Sequence, residues 1–156
     1  MSQDEDSLVG LHDEVALLEC NLDDMTGEAL GFVMERLIES GALDVWFTPI
    51  YMKKNRPGTM LSVLCRPDEA PRLRAWLLRE TATLGVRYRL LDREIAERRS
   101  DEVRTPWGKV RRKLKILAGR VVSIKPEYED CARLAREHNV SWEQVARAAR
   151  DAHPES

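Results

Sequence analysis

Hydrophobic residues in the first half of the chain form short runs that alternate with two stretches of helical spacing. The nearly continuous run that ends at Cys20 predicts a buried strand, because polar Asn21 and Asp23 stop it. In chain order, the predicted elements are a strand from 13 to 20, a helix ending at 41, strands over 45–51 and 59–65, a helix opening at 67–68 with its apolar face reaching Leu84, and a strand over 86–90. This βαββαβ order predicts an α+β fold with a ferredoxin-like core over residues 13–98.

The second half of the chain continues with shorter elements of the same domain. Thr105-Pro106-Trp107-Gly108 predicts a β-hairpin, because proline fits the second place of a tight turn. A short strand over 120–124 and a helix over 127–137 follow. Ser141 and Gln144 have the spacing of a capping box, which predicts the start of a last helix. Residues 99–152 are thus predicted to form a β-hairpin and two-helix extension, and residues 1–12 a polar lead.

Charge and cysteine content exclude several classes of protein. The chain has 25 basic and 27 acidic residues, so its net charge of −2 creates no overall attraction to DNA or an anionic membrane. No apolar run is long enough to span a bilayer. Three widely spaced cysteines argue for a reducing compartment and against a disulfide framework. We therefore expect a cytoplasmic protein without a nucleic-acid or membrane partner.

The predicted topology gathers polar side chains at one edge of the sheet. In a right-handed split βαβ arrangement, three connections emerge on the same side. They are residues 21–26, 53–58 and 80–87. The opposite edge receives ordinary turns at Ser40-Gly41 and Arg66-Pro67. The uneven distribution predicts a functional site at the first edge.

Carboxylates at this edge are candidate metal ligands and proton acceptors. Asp23 and Asp24 are adjacent, an arrangement that suits Mg²⁺ or Mn²⁺, although helix capping and dipole compensation explain them equally well. Glu80 adds a third carboxylate. Glu127 and Asp130 are further metal candidates in the first turn of a later helix, where the helix dipole favours acids without any function.

A cationic turn at the same edge is a candidate phosphate site. Lys53, Lys54 and Arg56 surround Asn55 and precede Gly58, which lets the backbone approach a ligand closely. A solvated hairpin tip is the alternative interpretation. The turn lacks the pattern of a P-loop, so any nucleotide would be held differently.

Further polar groups complete the predicted nucleotide site. Arg87 ends the 80–87 segment, and Thr81 and Thr83 offer hydroxyl groups there. Lys125 supplies one more cation. We expect Asn55 or one of the threonine hydroxyls to contact a base or sugar.

Several of these segments together resemble the C-terminal domain of nickel-insertion proteins that act in lactate racemase cofactor biosynthesis. The resemblance covers Glu14 to about Val145 and is carried by the motifs at 17–28, 41–46, 49–58, 80–87, 105–108 and 125–131. It implies a CTP-dependent cyclometallase that inserts nickel into a pyridinium bisthiocarboxylic acid mononucleotide. It further implies CTP binding with manganese (or magnesium), a homo-oligomer, specifically a hexamer, and a larger N-terminal region that this chain lacks.

The resemblance also implies roles for residues. Asp23, Asp24 and Glu80 would accept the ring proton or bind metal. The nucleotide would contact Lys53, Lys54, Asn55, Arg56, Gly58, Thr81, Thr83, Arg87 and Lys125, and metal would contact Asp23, Asp24, Glu127 and Asp130.

Two functions without catalysis remain as alternatives. Ferredoxin-like sheets often bind RNA, but they use exposed aromatic residues on the central strands, and the predicted third strand, 59–65, contains none. An assembly module would instead use Trp46, Tyr51 and Trp107 for subunit contacts.

Overall fold

A computed structural model describes residues 10–153 and divides them into two compact units. One unit comprises His12–Arg93, and the other comprises Gly10, Leu11 and the described residues from Glu94 onward. Most of the predicted polar lead, residues 1–9, lies outside the described range, whereas Leu11 and His12 belong to the first strand. The predicted domain boundary at residue 98 stays a prediction.

The first unit contains a four-stranded sheet and two helices. Its elements are β1 (Leu11–Leu22), α1 (Gly27–Glu39), β2 (Asp44–Met52), β3 (Arg56–Cys65), α2 (Ala70–Glu80) and β4 (Arg87–Ile95). The strand order is β2-β3-β1-β4, and β3 pairs antiparallel with both β1 and β2. The predicted α+β class is confirmed, and the element order is βαββαβ, as in ferredoxin-like folds.

The core of this unit lies between the sheet and one face of each helix. Leu18 on β1 and Leu61 on β3 are completely buried, as are Leu37 on α1 and Leu73 on α2. The centre of β1, residues Val15–Leu18, is buried on both faces, which explains why its sequence is continuously apolar instead of alternating.

Local capping chemistry sets the helix ends. Thr26 is the N-cap of α1, since its hydroxyl accepts a hydrogen bond from the backbone of Ala29, so Asp24 is free of that role. The second helix was predicted too long, because α2 ends at Glu80 and Leu84 beyond it is fully exposed. Its N-terminal side opens with a short 3₁₀ turn, Pro67–Glu69.

The second unit packs two helices on one face of a three-stranded sheet. Its elements are β5 (Glu97–Thr105), β6 (Gly108–Leu117), β7 (Arg120–Pro126), α3 (Tyr128–His138) and α4 (Trp142–Asp151). The predicted hairpin is formed by β5 and β6, and β7 extends it. The Ser141 capping box is present with both reciprocal bonds, and α4 begins after it as predicted.

A buried arginine fastens this unit together. Arg112 on β6 is only 2% exposed and pairs bidentately with Asp101 on β5, at 2.9 and 2.6 Å. Its other terminal nitrogen donates to the carbonyls of Ala149 and Ala152 at the end of α4. One side chain therefore joins two strands to the carbonyl end of a helix. The hydrogen bonds from Arg112 also hold the pKa of Asp101 below its usual value.

Cys20, Cys65 and Cys131 are buried and unpaired. None of the helices in residues 10–153 is both long and apolar enough to cross a membrane.

Candidate functional site

Three connections of the first unit come together through side-chain contacts. We call the segments 21–26, 53–58 and 80–87 the turn cluster. Arg56 from the second segment lies 3.4 Å from the carboxylate of Asp23 in the first. Arg87 from the third donates a 2.9 Å hydrogen bond to the side-chain oxygen of Asn21. Segments distant in sequence thus place two guanidinium groups beside the end of β1.

Strand pairing brings the first two segments together. β1 and β3 are neighbours, and Asn21 and Leu22 at the end of β1 lie opposite Met60 and Thr59. At Gly58 the backbones of β3 and β1 are so close that a Cβ atom on residue 58 would lie 2.9 Å from the carbonyl oxygen of Leu22. The close packing of the two strand ends is therefore sufficient to require glycine at this position, independently of any ligand.

The cationic turn has an unusual backbone. Lys53–Asn55 form a short 3₁₀ turn in which Lys54 and Asn55 both have left-handed conformations, with φ of 62° and 55°. Asparagine tolerates this region, whereas lysine pays a steric cost. The side chains from Lys53 to Arg56 are all exposed, so the turn presents its cations to solvent.

Threonine hydroxyls shape the third segment. Thr81 donates to the carbonyl of Leu77 at the end of α2, and Thr83 donates to the carbonyl of Gly85. Thr83 is buried, so its hydroxyl holds the loop that delivers Arg87. Glu80 is exposed, and its carboxylate accepts a 2.9 Å hydrogen bond from Arg79.

Cys20 lies next to the turn cluster but is poorly suited to bind a metal. It is completely buried, and burial raises the pKa of its thiol, an effect only partly offset by a hydrogen bond with Thr83 and by the charge of Arg87. The metal-binding form is the thiolate, which this environment disfavours.

Three predicted site residues belong to the second unit. Asp130 accepts two hydrogen bonds from the guanidinium of Arg111, which holds the pKa of that carboxyl below its usual value. Glu127 pairs with Lys113 at 2.7 Å. Lys125 is exposed on β7. Both carboxylates therefore have structural partners at the junction of β6 and α3.

Metal-binding groups are sparse in the part of the chain that the structure describes. Nowhere between residues 10 and 153 do three His, Cys, Asp or Glu side chains group closely enough to hold an ion by themselves. Asp23 and Asp24 could supply two ligands, so a cation there would need further oxygens from a ligand such as a phosphate chain.

Sequence reasoning missed the role of Asn21. Its side chain receives Arg87, which fixes the third segment on the first. The available signal was an asparagine at the end of a buried strand, directly before two acids.

Comparisons with known proteins agree on one family. The chain matches the family model described as nickel insertion protein over residues 3–146. It is 47% identical, over 139 residues, to the pyridinium-3,5-bisthiocarboxylic acid mononucleotide nickel insertion protein of Geobacillus kaustophilus, covering 88% of this chain and 34% of that protein. The protein of the same description from Acetivibrio thermocellus is 44% identical over 135 residues, covering 86% and 33%. The chain thus spans about a third of the length of these curated relatives.

A solved structure resembles the whole fold. It is LarC2, the C-terminal domain of a cyclometallase involved in the synthesis of the NPN cofactor of lactate racemase, in its apo form. The TM-score is 0.79 at 44% identity, covering 89% of this chain and 96% of that one.

Proposed function

The chain belongs to the nickel insertion protein family, and from this premise we propose that it is the CTP-binding C-terminal part of a cyclometallase. The complete enzyme would insert nickel, its substrate metal, into pyridinium bisthiocarboxylic acid mononucleotide. An N-terminal region would complete the activity, since the relatives are about three times as long. The observation that supports this most is the turn cluster, in which cations and carboxylates from three segments meet.

The cations of the turn cluster suit a triphosphate. Arg56 and Arg87 can bind phosphate oxygens bidentately, and Lys53 and Lys54 add point charges on an exposed turn. Arg56 is held only by an exposed contact of 3.4 Å to Asp23, so little free energy is lost when its guanidinium turns to a phosphate.

Asp23 and Asp24 suit the cation that accompanies the triphosphate. Mn²⁺ or Mg²⁺ is commonly bound by one or two carboxylates together with phosphate oxygens. Arg56 now neutralises Asp23 at 3.4 Å. A metal–CTP complex would replace this pair in one exchange, because the metal takes the carboxylate and the phosphates take the guanidinium.

The remaining groups would act on the base, sugar or ring proton. Forming a nickel–carbon bond releases a proton from the pyridinium ring, and we assign its acceptance to one of the carboxylates Asp23, Asp24 and Glu80. Asn55 is the proposed contact to the base or sugar, since the hydroxyls of Thr81 and Thr83 already hold the loop.

Exposed apolar residues beside the turn cluster are consistent with a homo-oligomer, for which we propose the hexameric state. Tyr51 is 85% exposed directly before the cationic turn, and Leu84 is fully exposed in the third segment. Exposed apolar side chains indicate a protein interface where they form one contiguous patch, so the hexamer proposal requires Tyr51 and Leu84 to be covered by neighbouring subunits.

The proposal predicts that Lys53→Ala/Arg56→Ala weakens the binding of CTP with Mn²⁺ at least about tenfold. Hydrogen bonds to charged groups contribute about 1.5–3 kcal/mol each, and tenfold in affinity corresponds to about 1.4 kcal/mol. Isothermal titration calorimetry of the 156-residue chain measures the change.

Arg36→Ala/Arg66→Ala is a matched control, because it removes two exposed cations outside the turn cluster. Arg36 is in the last turn of α1, and Arg66 directly follows β3. This variant should bind CTP as the original chain does. Equal affinities for both double variants, or no CTP binding by the original chain, would contradict the proposal.

A further inference from the structure

A second cationic surface lies in the other unit, on the face of the β5-β6-β7 sheet that is turned away from α3 and α4. Alternation along the strands directs Val103, Val110 and Arg112 toward the helices. The alternate residues of the same strands, such as Glu102, Lys109 and Lys113, point to the outer face. On this outer face, residues 95–98, which belong to this unit, border a cavity of about 570 Å³. We call it the basic groove, and its cations are Arg98, Lys113, Lys115 and Lys125.

Strand register places these cations directly opposite one another. Arg98 on β5 is the cross-strand partner of Lys115 on β6, and Lys113 on β6 is the partner of Lys125 on β7. Side chains opposite each other on one face have Cβ atoms about 5 Å apart, and like charges in such pairs destabilise a sheet. Two repulsive pairs side by side are costly unless an anion is bound between them.

The other end of the same outer face is built differently. There, Lys109 pairs with Glu102 at 2.6 Å, and Arg111 pairs with Asp130 at 2.8 Å. The sheet can therefore accommodate compensating acids, yet the groove has few of them.

Compensation within the groove is incomplete. Lys113 is paired with Glu127 outside the lining, and Glu97, the one acid of the lining, accepts from Arg99. Arg98, Lys115 and Lys125 form no ion pair with any residue between 10 and 153. Three of the four cations of the basic groove therefore carry charge that no neighbouring acid offsets.

We propose that the basic groove binds a small organic phosphate or similar ligand carrying at least two anionic groups. The cross-strand pairs supply cations for two separate anionic groups, and the hydroxyl of Ser123, opposite Lys115, can donate to one of them. Ile95 in the lining provides apolar contact for an organic portion. The volume is that of a small-molecule site. Lys125, which sequence reasoning assigned to CTP, belongs to this groove.

The test uses inorganic tripolyphosphate without divalent metal, in the full 156-residue chain carrying Lys53→Ala/Arg56→Ala. That background removes two of the four cations of the turn cluster and leaves Lys54 and Arg87. The part of the remaining affinity, measured by calorimetry, that depends on Lys115 and Lys125 therefore reports on the groove. Adding Lys115→Met/Lys125→Met, which keeps most of the side-chain length, should weaken it at least about tenfold. Unchanged affinity, or no tripolyphosphate binding in the background variant, overturns the proposal.

Two further measurements keep the result independent of folding and of the CTP proposal. Without ligand, Lys115→Met/Lys125→Met should melt at a temperature equal to or above that of the original chain, because repulsion is relieved; a lower temperature overturns the like-charge argument. In the otherwise unchanged chain, Lys115→Met alone should still bind CTP with Mn²⁺ at the turn cluster. Salt-dependent binding of a 20-nucleotide RNA that tripolyphosphate does not displace would also overturn the assignment to a small ligand.

Discussion

Asp101→Asn is expected to destabilise the unit that contains β5–β7, α3 and α4 by about 3 kcal/mol. Arg112 is 2% exposed, and the substitution leaves its charge in the interior with only the carbonyls of Ala149 and Ala152 as charge-stabilising partners. Amide hydrogen exchange along β6 measures the effect, because it reports on this unit even if the two units unfold separately.

The same variant should lose part of the acid sensitivity of the chain. Arg112 lowers the pKa of Asp101 in the folded state, chiefly by its hydrogen bonds. A depressed folded pKa contributes stability above the ordinary carboxyl pKa of about 3.9, and this stability is lost as the pH falls through the lower folded value. Asp101→Asn should therefore show a flatter decline below about pH 4.

Glu143→Gln is the matched control, since it neutralises an acid paired with Arg150 on the exposed face of α4. Its effect should stay within about 0.5 kcal/mol at neutral pH. If the β6 amides exchange at the same rate in both variants, the Asp101–Arg112 pair does not stabilise this unit more than an exposed ion pair does.

Gly58→Ala is expected to cost about 2 kcal/mol and to reduce CTP affinity about tenfold. The added carbon would lie 2.9 Å from the carbonyl of Leu22 and 2.8 Å from the sulfur of Met52. Met52 can turn aside, but Leu22 is backbone, so the end of β1 must move and carry Asp23 with it. Denaturant unfolding and calorimetry with CTP and Mn²⁺ measure the two effects.

Gly31→Ala provides the comparison for this substitution. Gly31 is inside α1, and beyond the adjacent backbone of that helix no described atom lies within 4 Å of the position that its Cβ would occupy. Alanine should therefore stabilise the chain by up to about 1 kcal/mol and leave CTP binding unchanged. If Gly58→Ala leaves both stability and CTP affinity undiminished, as expected for Gly31→Ala, the ends of β1 and β3 can separate without loss of stability and the prediction is wrong.

Local signals in the sequence were sufficient for most of the fold. Periodicity identified the helices and strands, and the spacing of Ser141 and Gln144 located the start of α4, because capping depends on neighbouring residues alone. The end of α2 was misplaced because Leu84 continues the helical spacing. The helix ends earlier because the hydroxyl of Thr81 donates to the carbonyl of Leu77 and accepts from the backbone N–H of Thr83.

Long-range pairs were predictable only where topology constrained them. The meeting of Asp23 with Arg56 follows from the strand order, since β1 and β3 are neighbours. The Asp101–Arg112 pair depends on the register of a hairpin and on a helix that folds over it, which no local pattern encodes. The ion-pair partners of Glu127 and Asp130 were hidden for the same reason, because both partners lie on β6 and depend on how α3 packs against it.

Lys54 in the cationic turn adopts a left-handed conformation, which lowers the stability of the fold but keeps a positive charge available for a ligand. Glycine at position 54 would adopt the observed φ of 62° without the steric cost of about 1 kcal/mol, but it would remove one cation. A library randomised at this position and challenged only by heating should return mainly glycine and asparagine. The same library selected for nucleotide binding should return lysine. The difference in residue frequencies at position 54 between the two pools would measure how far stability and ligand binding favour different residues there.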